Sequence, residues 1–153
     1  MCSLRVLVIL GILAASCIAE EFRVVTWNIQ WFPGMRPGAT AEAIQNQTEA
    51  VQQAIADLKP DILVMQEIQN WEAAQATIAA DPSLKVQVVS RFQGSQQQVI
   101  ASRFPVDSSW AARWEKTGEN DPPRGYAFAV VRLPGDRLAF VYTFHFKANS
   151  SGD

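Results

Sequence analysis

Three polar side chains lie at or near the ends of predicted strands, where they could share one cleft. Asn28 follows a β-branched and aromatic stretch, Glu67 ends a short apolar one, and His145 lies in a third. Mg²⁺ takes one or two protein carboxylates and keeps water and phosphate oxygens elsewhere, so Glu67 is a candidate ligand. The amide of Asn28 could coordinate the cation or hold the carboxylate that does. Because histidine can donate a hydrogen bond to a developing negative oxygen or move a proton, His145 is a candidate for chemistry at a phosphate.

Each of these residues also has an ordinary structural interpretation. Asn28 could be a turn residue bonded to its own backbone, Glu67 a solvated strand end, and His145 a hydrogen-bonded core residue. Just beyond the histidine, Lys147 and Asn149 could touch a substrate phosphate or face solvent. The residue types alone therefore do not decide whether a site exists, which depends on the elements that would bring them together.

The composition is that of an ordinary globular α/β domain. Hydrophobic residues make up 48% of the chain and charged residues 18%, which excludes a disordered or collagen-like segment. The formal net charge is -2 and the positive charges are scattered, so the chain lacks the basic stripe of proteins that hold nucleic acid electrostatically. Any phosphate substrate would need local cations.

Residues 1–19 have the pattern of an export signal. Arg5 precedes an apolar run, Val6–Ala15, and small residues continue to Ala19. The run is shorter than the roughly 20 apolar residues that span a bilayer, so we expect no stable membrane span. Cleavage after Ala19 would remove both cysteines and predicts a secreted or periplasmic protein, and lipidation at Cys17 is the alternative.

Periodicity and breakers predict two helices and one long loop that must position the site. Thr40 caps the first helix, which ends before Pro60, and Asn70 caps the second, which runs to Ala80. A loop rich in Pro and Gly occupies Gln30–Ala39. The first helix has an apolar face whose members recur every three or four residues: Ile44, Thr48, Val51, Ile55 and Leu58.

The remaining pattern predicts a mixed sheet with helices on one face. The order is strand, helix, strand, helix and then a run of antiparallel strands. Leu138–Phe146 is apolar on both sides of its pleat, so a second sheet or further chain should cover the other face. A turn at 134–136 joins the last two strands. The predicted strands are Phe22–Asn28, Asp61–Glu67, Lys85–Arg91, Gln97–Arg103, Ser108–Glu115, Gly125–Leu133 and Leu138–Phe146.

Five strings occur in the order and approximate spacing of a known family. They are TWN, DILVMQE, IASRFPV, PPRGYAFAVV and FVYTFHFKAN. On these strings the chain resembles the endonuclease/exonuclease/phosphatase superfamily of DNase-I-like enzymes from about Phe22 to Asp153, and the pairing of TWN with the later QE is the specific part. The resemblance implies an α/β (α+β) fold, namely the first half of a four-layer α/β/β/α sandwich that is incomplete in this chain.

The resemblance also implies residue roles. Glu67 corresponds to the glutamate that binds the catalytic divalent ion, usually Mg²⁺ with Mn²⁺ or Ca²⁺ possible, and Asn28 to the asparagine beside it in the metal site. His145 corresponds to a histidine that contacts the scissile phosphate. Arg124 falls where the family carries a phosphate-facing arginine, whose planar fork can bind two oxygens. Arg103 lies in a family string whose role is mainly structural.

The chain also departs from the family pattern. Family members continue with a Gly-Asp-Phe-Asn string and finish with an Asp-His pair, and neither occurs before Asp153. We therefore expect residues 20–153 to be the N-terminal part of the domain and to be inactive alone, because acid-base assistance contributes only when its geometry is held.

The implied function is that of a secreted divalent-metal-dependent phosphoesterase, most plausibly a nuclease that cleaves phosphodiesters. The alternative is a non-catalytic secreted binding module that retains the scaffold. The expected partner is a phosphate-ester substrate such as nucleic acid, and no partner protein is implied. Four aromatic residues could stack on bases or anchor the core and loops: Trp31, Phe32, Trp110 and Trp114. The choice among DNA, RNA, phosphoinositides, sphingolipids and small phosphate esters stays open.

Overall fold

The computed structural model of the protein describes residues 20–91, 94–113 and 125–146. The predicted leader and the predicted phosphate-binding residues Arg124, Lys147 and Asn149 lie outside these ranges. Neither of the helices within them combines the length and apolarity that a membrane crossing requires. The elements in chain order are β1 (Val24–Phe32), α1 (Ala41–Leu58), β2 (Ile62–Ile68), α2 (Trp71–Thr77), β3 (Lys85–Val89), β4 (Gln97–Ser102), β5 (Val106–Ala112), β6 (Tyr126–Leu133) and β7 (Arg137–Phe144).

Both helices begin at the predicted caps. The side-chain oxygens of Thr40 and Asn70 each accept the backbone N–H three residues on, at 3.2 and 2.8 Å. Helix α1 ends as predicted, with Lys59 in the left-handed region at a φ of 48°. Helix α2 ends at Thr77, earlier than predicted, and the chain continues in tighter turns, in which the N–H of Asp81 donates to the carbonyl of Ile78, three residues back, at 2.9 Å.

The first sheet has the strand order β1-β2-β4-β3, in which β1 and β2 are parallel and the other pairs antiparallel. Strand β1 extends beyond its predicted end at Asn28 and reaches Phe32. A register shift between these two residues lets the chain rejoin β2 opposite Ile68. The first part of the predicted loop is therefore irregular strand, and the turn itself begins at Pro33.

One face of the first sheet is covered by both helices. Of the predicted apolar face of α1, Val51 and Ile55 are buried, whereas Ile44 and Leu58 lie near the helix ends and remain 38% and 41% exposed. Burial of the apolar face against the sheet stabilises the helix far more than its intrinsic propensity. The buried members of this core are Ile29, Phe32, Val51, Ile55, Leu63, Met65, Ile68, Ala73, Ala74, Ile78, Leu84, Val86, Val89, Val99 and Ala101.

The last three strands form a second sheet rather than extending the first. Its order is β5-β6-β7, antiparallel throughout, and the 3₁₀ turn Pro134–Asp136 makes the predicted hairpin. This sheet supplies the cover that the sequence required on the open face, so the single mixed sheet has four strands. The buried residues between the sheets are Ile62, Val64, Val88, Ile100, Ala127, Ala129, Val131 and Leu133. The layers are the two helices, the first sheet and the second sheet, in the predicted order, which confirms the α/β fold class.

The outer face of the second sheet is apolar and exposed. Alternate residues of β7 point outward with exposed fractions between 45% and 65%: Leu138, Phe140, Tyr142 and Phe144. Residues of the other parity turn inward, and among them Thr143 is only 3% exposed. On the outer face Phe128 contacts the rings of Trp110 and Tyr142, with centroid distances of 4.1 and 4.3 Å. The prediction that this strand is apolar on both sides of its pleat is confirmed.

Candidate active site

The three predicted site residues meet where β1, β2 and β7 reach the same edge of the two sheets. Asn28 lies opposite Gln66 in the parallel β1-β2 register, and Glu67 is the next residue of β2, so Asn28 and Glu67 lie close together along the two strands. The Gln66 side chain donates a hydrogen bond to Thr143 Oγ1 at 3.0 Å, which ties β2 to β7. His145 comes two residues after Thr143. The structure thus brings together Asn28, Glu67 and His145 from distant parts of the chain.

Glu67 is the centre of this arrangement. Its Oε1 accepts a hydrogen bond from Asn28 Nδ2 at 3.0 Å, and its Oε2 accepts one from the backbone N–H of Trp31 at 3.0 Å. The Nε2 atom of His145 lies 3.6 Å from Oε1. The side chains of Glu67 and His145 are 12% and 21% exposed, so both are mostly enclosed yet open on one side. The carboxylate is therefore held in one orientation at an accessible edge.

The hydrogen bonds of Asn28 indicate one orientation of its side-chain amide. Its Nδ2 donates to the carboxylate of Glu67, and its Oδ1 accepts the backbone N–H of Gln30 at 3.1 Å. In the opposite orientation the amide oxygen would face the Glu67 carboxylate and the amide N–H would face the N–H of Gln30. The hydrogen bonds therefore assign Nδ2 to the side of Glu67. Of the two possibilities the sequence left open, this geometry favours the one in which Asn28 holds the carboxylate. Its assignment as a metal ligand stays a prediction.

The backbone around Glu67 adopts conformations that side-chain-bearing residues rarely use. Gln30, Trp31 and Glu67 have positive φ angles of 32°, 51° and 64°. Glu67 also falls at an irregularity in the β2-β4 register, between Gln66 and Ile68. Such conformations cost about 1–3 kcal/mol each and persist where the surroundings determine them, most often at functional sites. Here the hydrogen bonds from Trp31 and Asn28 to the Glu67 carboxylate hold the backbone in these conformations.

Gln47 of helix α1 is a supporting residue that the sequence analysis missed. Its Nε2 donates to the carbonyls of Ile29 and Gln30 at 3.1 Å each, and its Oε1 accepts the backbone N–H groups of Gly34 and Met35. One side chain thus fixes the irregular end of β1 and the turn that follows. A signal existed in the sequence, because Gln47 is a polar residue four positions before the buried Val51 on the apolar side of the helix.

Arg103 lies at the opposite end of β2 from Glu67. Its Nε donates to the carbonyl of Pro60 at 2.9 Å, and its Nη2 donates to Asp81 at 2.7 Å, with Asp61 3.8 Å from Nε. These contacts join the end of α1, the start of β2 and the turn before β3. They are the contacts of a structural residue, as the sequence analysis interpreted it.

The donor atoms around Glu67 can be compared with what common metal ions require. Within the described ranges, no group of three or more His, Cys, Asp and Glu side chains could hold an ion. A structural zinc site needs about four such ligands, whereas Mg²⁺ is held by one or two carboxylates and retains several waters. The Glu67 carboxylate, with its rotation restricted by Asn28 and Trp31, is a donor of the type that Mg²⁺ uses.

The model of the endonuclease/exonuclease/phosphatase family matches residues 25–145. A search among curated proteins gave no match. The family match includes Asn28, Glu67 and His145, and it extends through both sheets.

Several solved structures share this fold. Truncated TDP2 from Caenorhabditis elegans superposes with a TM-score of 0.62 at 20% identity, over 84% of this chain and 48% of that chain. The human nocturnin catalytic domain, solved with a bound sulfate anion, gives 0.65 at 15% identity, over 85% and 52%. A family protein from Leptotrichia buccalis gives 0.55 at 10% identity, over 83% and 55%. At these identities the similarity concerns the fold alone, and the chain spans about half the length of the structures it matches.

Proposed function

The chain belongs to the endonuclease/exonuclease/phosphatase family, and from that premise we propose that the protein hydrolyses phosphate esters with a divalent metal ion held at Glu67. Family membership supports a hydrolase of phosphate esters. The metal dependence, the substrate and the roles of single residues are our proposals. They concern the whole protein, since this chain spans about half of the matched structures.

One observation carries the proposal: an enclosed carboxylate at the sheet edge with both oxygens already oriented. Asn28 and the N–H of Trp31 hold Glu67 at 3.0 Å each, so binding an ion requires little further loss of side-chain freedom. The ion would be Mg²⁺ or a similar hard cation, which when bound polarises phosphoryl oxygens and offsets their developing charge.

His145 supports the same reading. Its Nε2 lies 3.6 Å from Glu67 Oε1, on the side of the site that β7 forms. A histidine in this place can donate a hydrogen bond to a non-bridging phosphate oxygen or transfer a proton near neutral pH. We propose that it contacts the scissile phosphate. Arg124, Lys147 and Asn149 remain proposed phosphate contacts, outside the described residues.

We propose a phosphodiester of nucleic acid as the substrate, and therefore nuclease activity. The test incubates the full-length protein with DNA, RNA and phosphoinositide headgroups, with Mg²⁺ and with EDTA. We expect hydrolysis of a nucleic acid in Mg²⁺ and none in EDTA. Absence of metal-dependent hydrolysis of every ester would reject the enzyme and favour a binding module that keeps the scaffold.

Glu67→Gln is the sharpest variant for this proposal. It preserves size but removes the charge that binds the ion, and since losing an outer-shell partner alone costs about 10–100-fold, we expect a loss above about 100-fold. Glu49→Gln, on the exposed side of α1, is the matched control and should retain activity. Full activity of Glu67→Gln would show that the ion is held elsewhere.

We also propose export of the protein through the leader 1–19, with cleavage after Ala19. The support is the charged start, the apolar run and the small residues before that position. The intact mass of the protein recovered outside the cytoplasm tests this. A mass that corresponds to a diacyl-modified Cys17 start would replace simple cleavage with lipid anchoring.

A further inference from the structure

A cavity of about 180 Å³ adjoins the candidate active site on its β1 side. Its wall begins at Trp31, whose backbone N–H binds Glu67, and it includes Gln69, which follows Glu67 by two residues. The N–H of Gln69 donates to the carbonyl of Phe32 at 2.8 Å, so two of the lining residues are hydrogen-bonded to each other. A group bound here would therefore lie next to whatever ester is held at Glu67.

The cavity is shaped before any ligand enters. Its floor is Phe32, which is fully buried, and Gly34 packs so closely that an added Cβ would come within 2.4 Å of Ala39. Gln47 holds the turn through the backbone N–H groups of Gly34 and Met35. Because little ordering remains to be done on binding, such a pocket gains affinity from preorganisation.

The lining combines flat apolar groups with one positive charge and a few neutral polar groups. Trp31, Pro33 and Pro37 offer flat faces, and Gln69 and Ser95 offer hydrogen-bonding groups. Among the described residues that line the cavity, the one cation is the exposed Arg36. A polyphosphorylated inositol would need several cations to bind its phosphates. An acyl chain would make no ionic contact with the Arg36 guanidinium. A ring system with one flanking phosphate satisfies both parts of this lining.

We propose that this cavity binds the nucleoside adjacent to the scissile phosphate in an unpaired strand, with the base against Trp31 and the flanking phosphate at Arg36. The inference rests on the proposed function, because it assigns a substrate class to the same site. Stacking of a base on an aromatic side chain tolerates any base, so we expect little sequence preference. The cavity volume is below the 300–1,000 Å³ that is usual for drug-sized ligands, as expected for a single base.

The test uses the full-length protein and two measurements. Fluorescence anisotropy in EDTA follows binding of a labelled single-stranded hexathymidylate and of the same oligomer with abasic residues. Hydrolysis of bis(4-nitrophenyl) phosphate in Mg²⁺ reports the metal site without a base. The variants are Arg36→Glu and, as a matched charge reversal on the exposed start of β7, Arg137→Glu.

We expect Arg36→Glu to weaken hexathymidylate binding about tenfold, and the abasic oligomer to bind the wild type more weakly than hexathymidylate does. Arg137→Glu should leave hexathymidylate binding unchanged and should hydrolyse the small diester within about twofold of the wild type. Equal binding by wild type and Arg36→Glu, or equal binding of both oligomers, would overturn the subsite while leaving the hydrolase proposal intact. Tighter competition by inositol phosphates than by thymidine monophosphate would overturn it in favour of a lipid headgroup. If the wild type hydrolyses no ester at all, the proposed function fails, and the binding measurement still judges the subsite.

Discussion

Gln66 Nε2 donates a hydrogen bond to Thr143 Oγ1 at 3.0 Å, across the interface between the two sheets. Gln66 directly precedes Glu67 in β2. Thr143 lies near the end of β7, two residues before His145. Thr143 is 3% exposed, so its hydroxyl has little access to water. This single bond therefore couples the strand that carries the candidate metal ligand to the strand that leads to the candidate phosphate contact.

Gln66→Leu should loosen that coupling. It leaves a buried hydroxyl without its donor, which costs about 1–3 kcal/mol, so we expect the free energy of unfolding in urea to fall by that amount. Metal-dependent hydrolysis should fall mainly in kcat, since His145 would be less well placed. Gln53→Leu, on the exposed side of α1, is the control and should change stability by less than about 0.5 kcal/mol. Equal stability of both variants would remove the coupling role.

Asn28→Asp separates the two possible roles of this residue. If Asn28 positions Glu67, as its hydrogen bonds indicate, the new carboxylate loses the N–H donor and repels Glu67. We then expect apparent Mg²⁺ affinity to drop about 10–100-fold, measured by titrating hydrolysis or by calorimetry. Tighter Mg²⁺ binding would instead identify position 28 as a ligand. Asn46→Asp, on the exposed side of α1, controls for the added charge.

We expect the buried side-chain amide of Gln98 to lower the free energy of unfolding. It lies opposite Gln66 in the β2-β4 register and is fully buried, and neither atom of its amide has a hydrogen-bond partner among the residues that the structure describes. Replacing such an amide with an apolar group of similar shape is neutral or stabilising. Gln98→Met should raise the free energy of unfolding by roughly 1 kcal/mol, measured in urea. A decrease of that size would show that the amide is bonded in the folded protein.

Asp81 should make stability depend on pH at the acidic end. The Ser83 hydroxyl, which donates to Asp81 at 2.5 Å, holds the pKa of this carboxyl below its usual value, and the Ser83 N–H and Arg103 act in the same direction, whereas burial opposes them. A carboxyl with a lowered folded pKa stabilises the protein above its unfolded pKa of about 3.9, and this contribution is lost as pH falls through the folded pKa.

Ser83→Ala is the matching variant. It should be less stable than wild type at pH 7, with a difference that narrows below about pH 4 as Asp81 becomes protonated in both proteins. Urea unfolding at several pH values measures this difference. A gap that stays constant across the acid range would mean that Ser83 acts through something other than the Asp81 charge.

Local features of the structure were readable in the amino-acid sequence. The caps Thr40 and Asn70, the end of α1 before Pro60 and the hairpin at 134–136 depend on neighbouring residues, and all are found where predicted. The exposed apolar side of β7 was also readable, because it follows from alternation along one strand.

The site itself was predicted through family strings, because each of its members is an ordinary residue in its local context. Residue type and position near strand ends made Asn28, Glu67 and His145 candidates, and the family strings favoured them over their structural interpretations. Only the fold brings the three side chains together. Local patterns do not report the distance between residues that are far apart in the chain.

The tertiary structure decided everything that depends on pairing between distant segments. The division of the strands into two sheets, the continuation of β1 to Phe32 and the role of Gln47 each depend on which surfaces meet. The orientation of the Asn28 amide is set by a carboxylate and a backbone N–H that only the folded chain holds in place. Periodicity and capping act over a few residues, whereas strand pairing and buried polar contacts are chosen by competition among all surfaces of the chain.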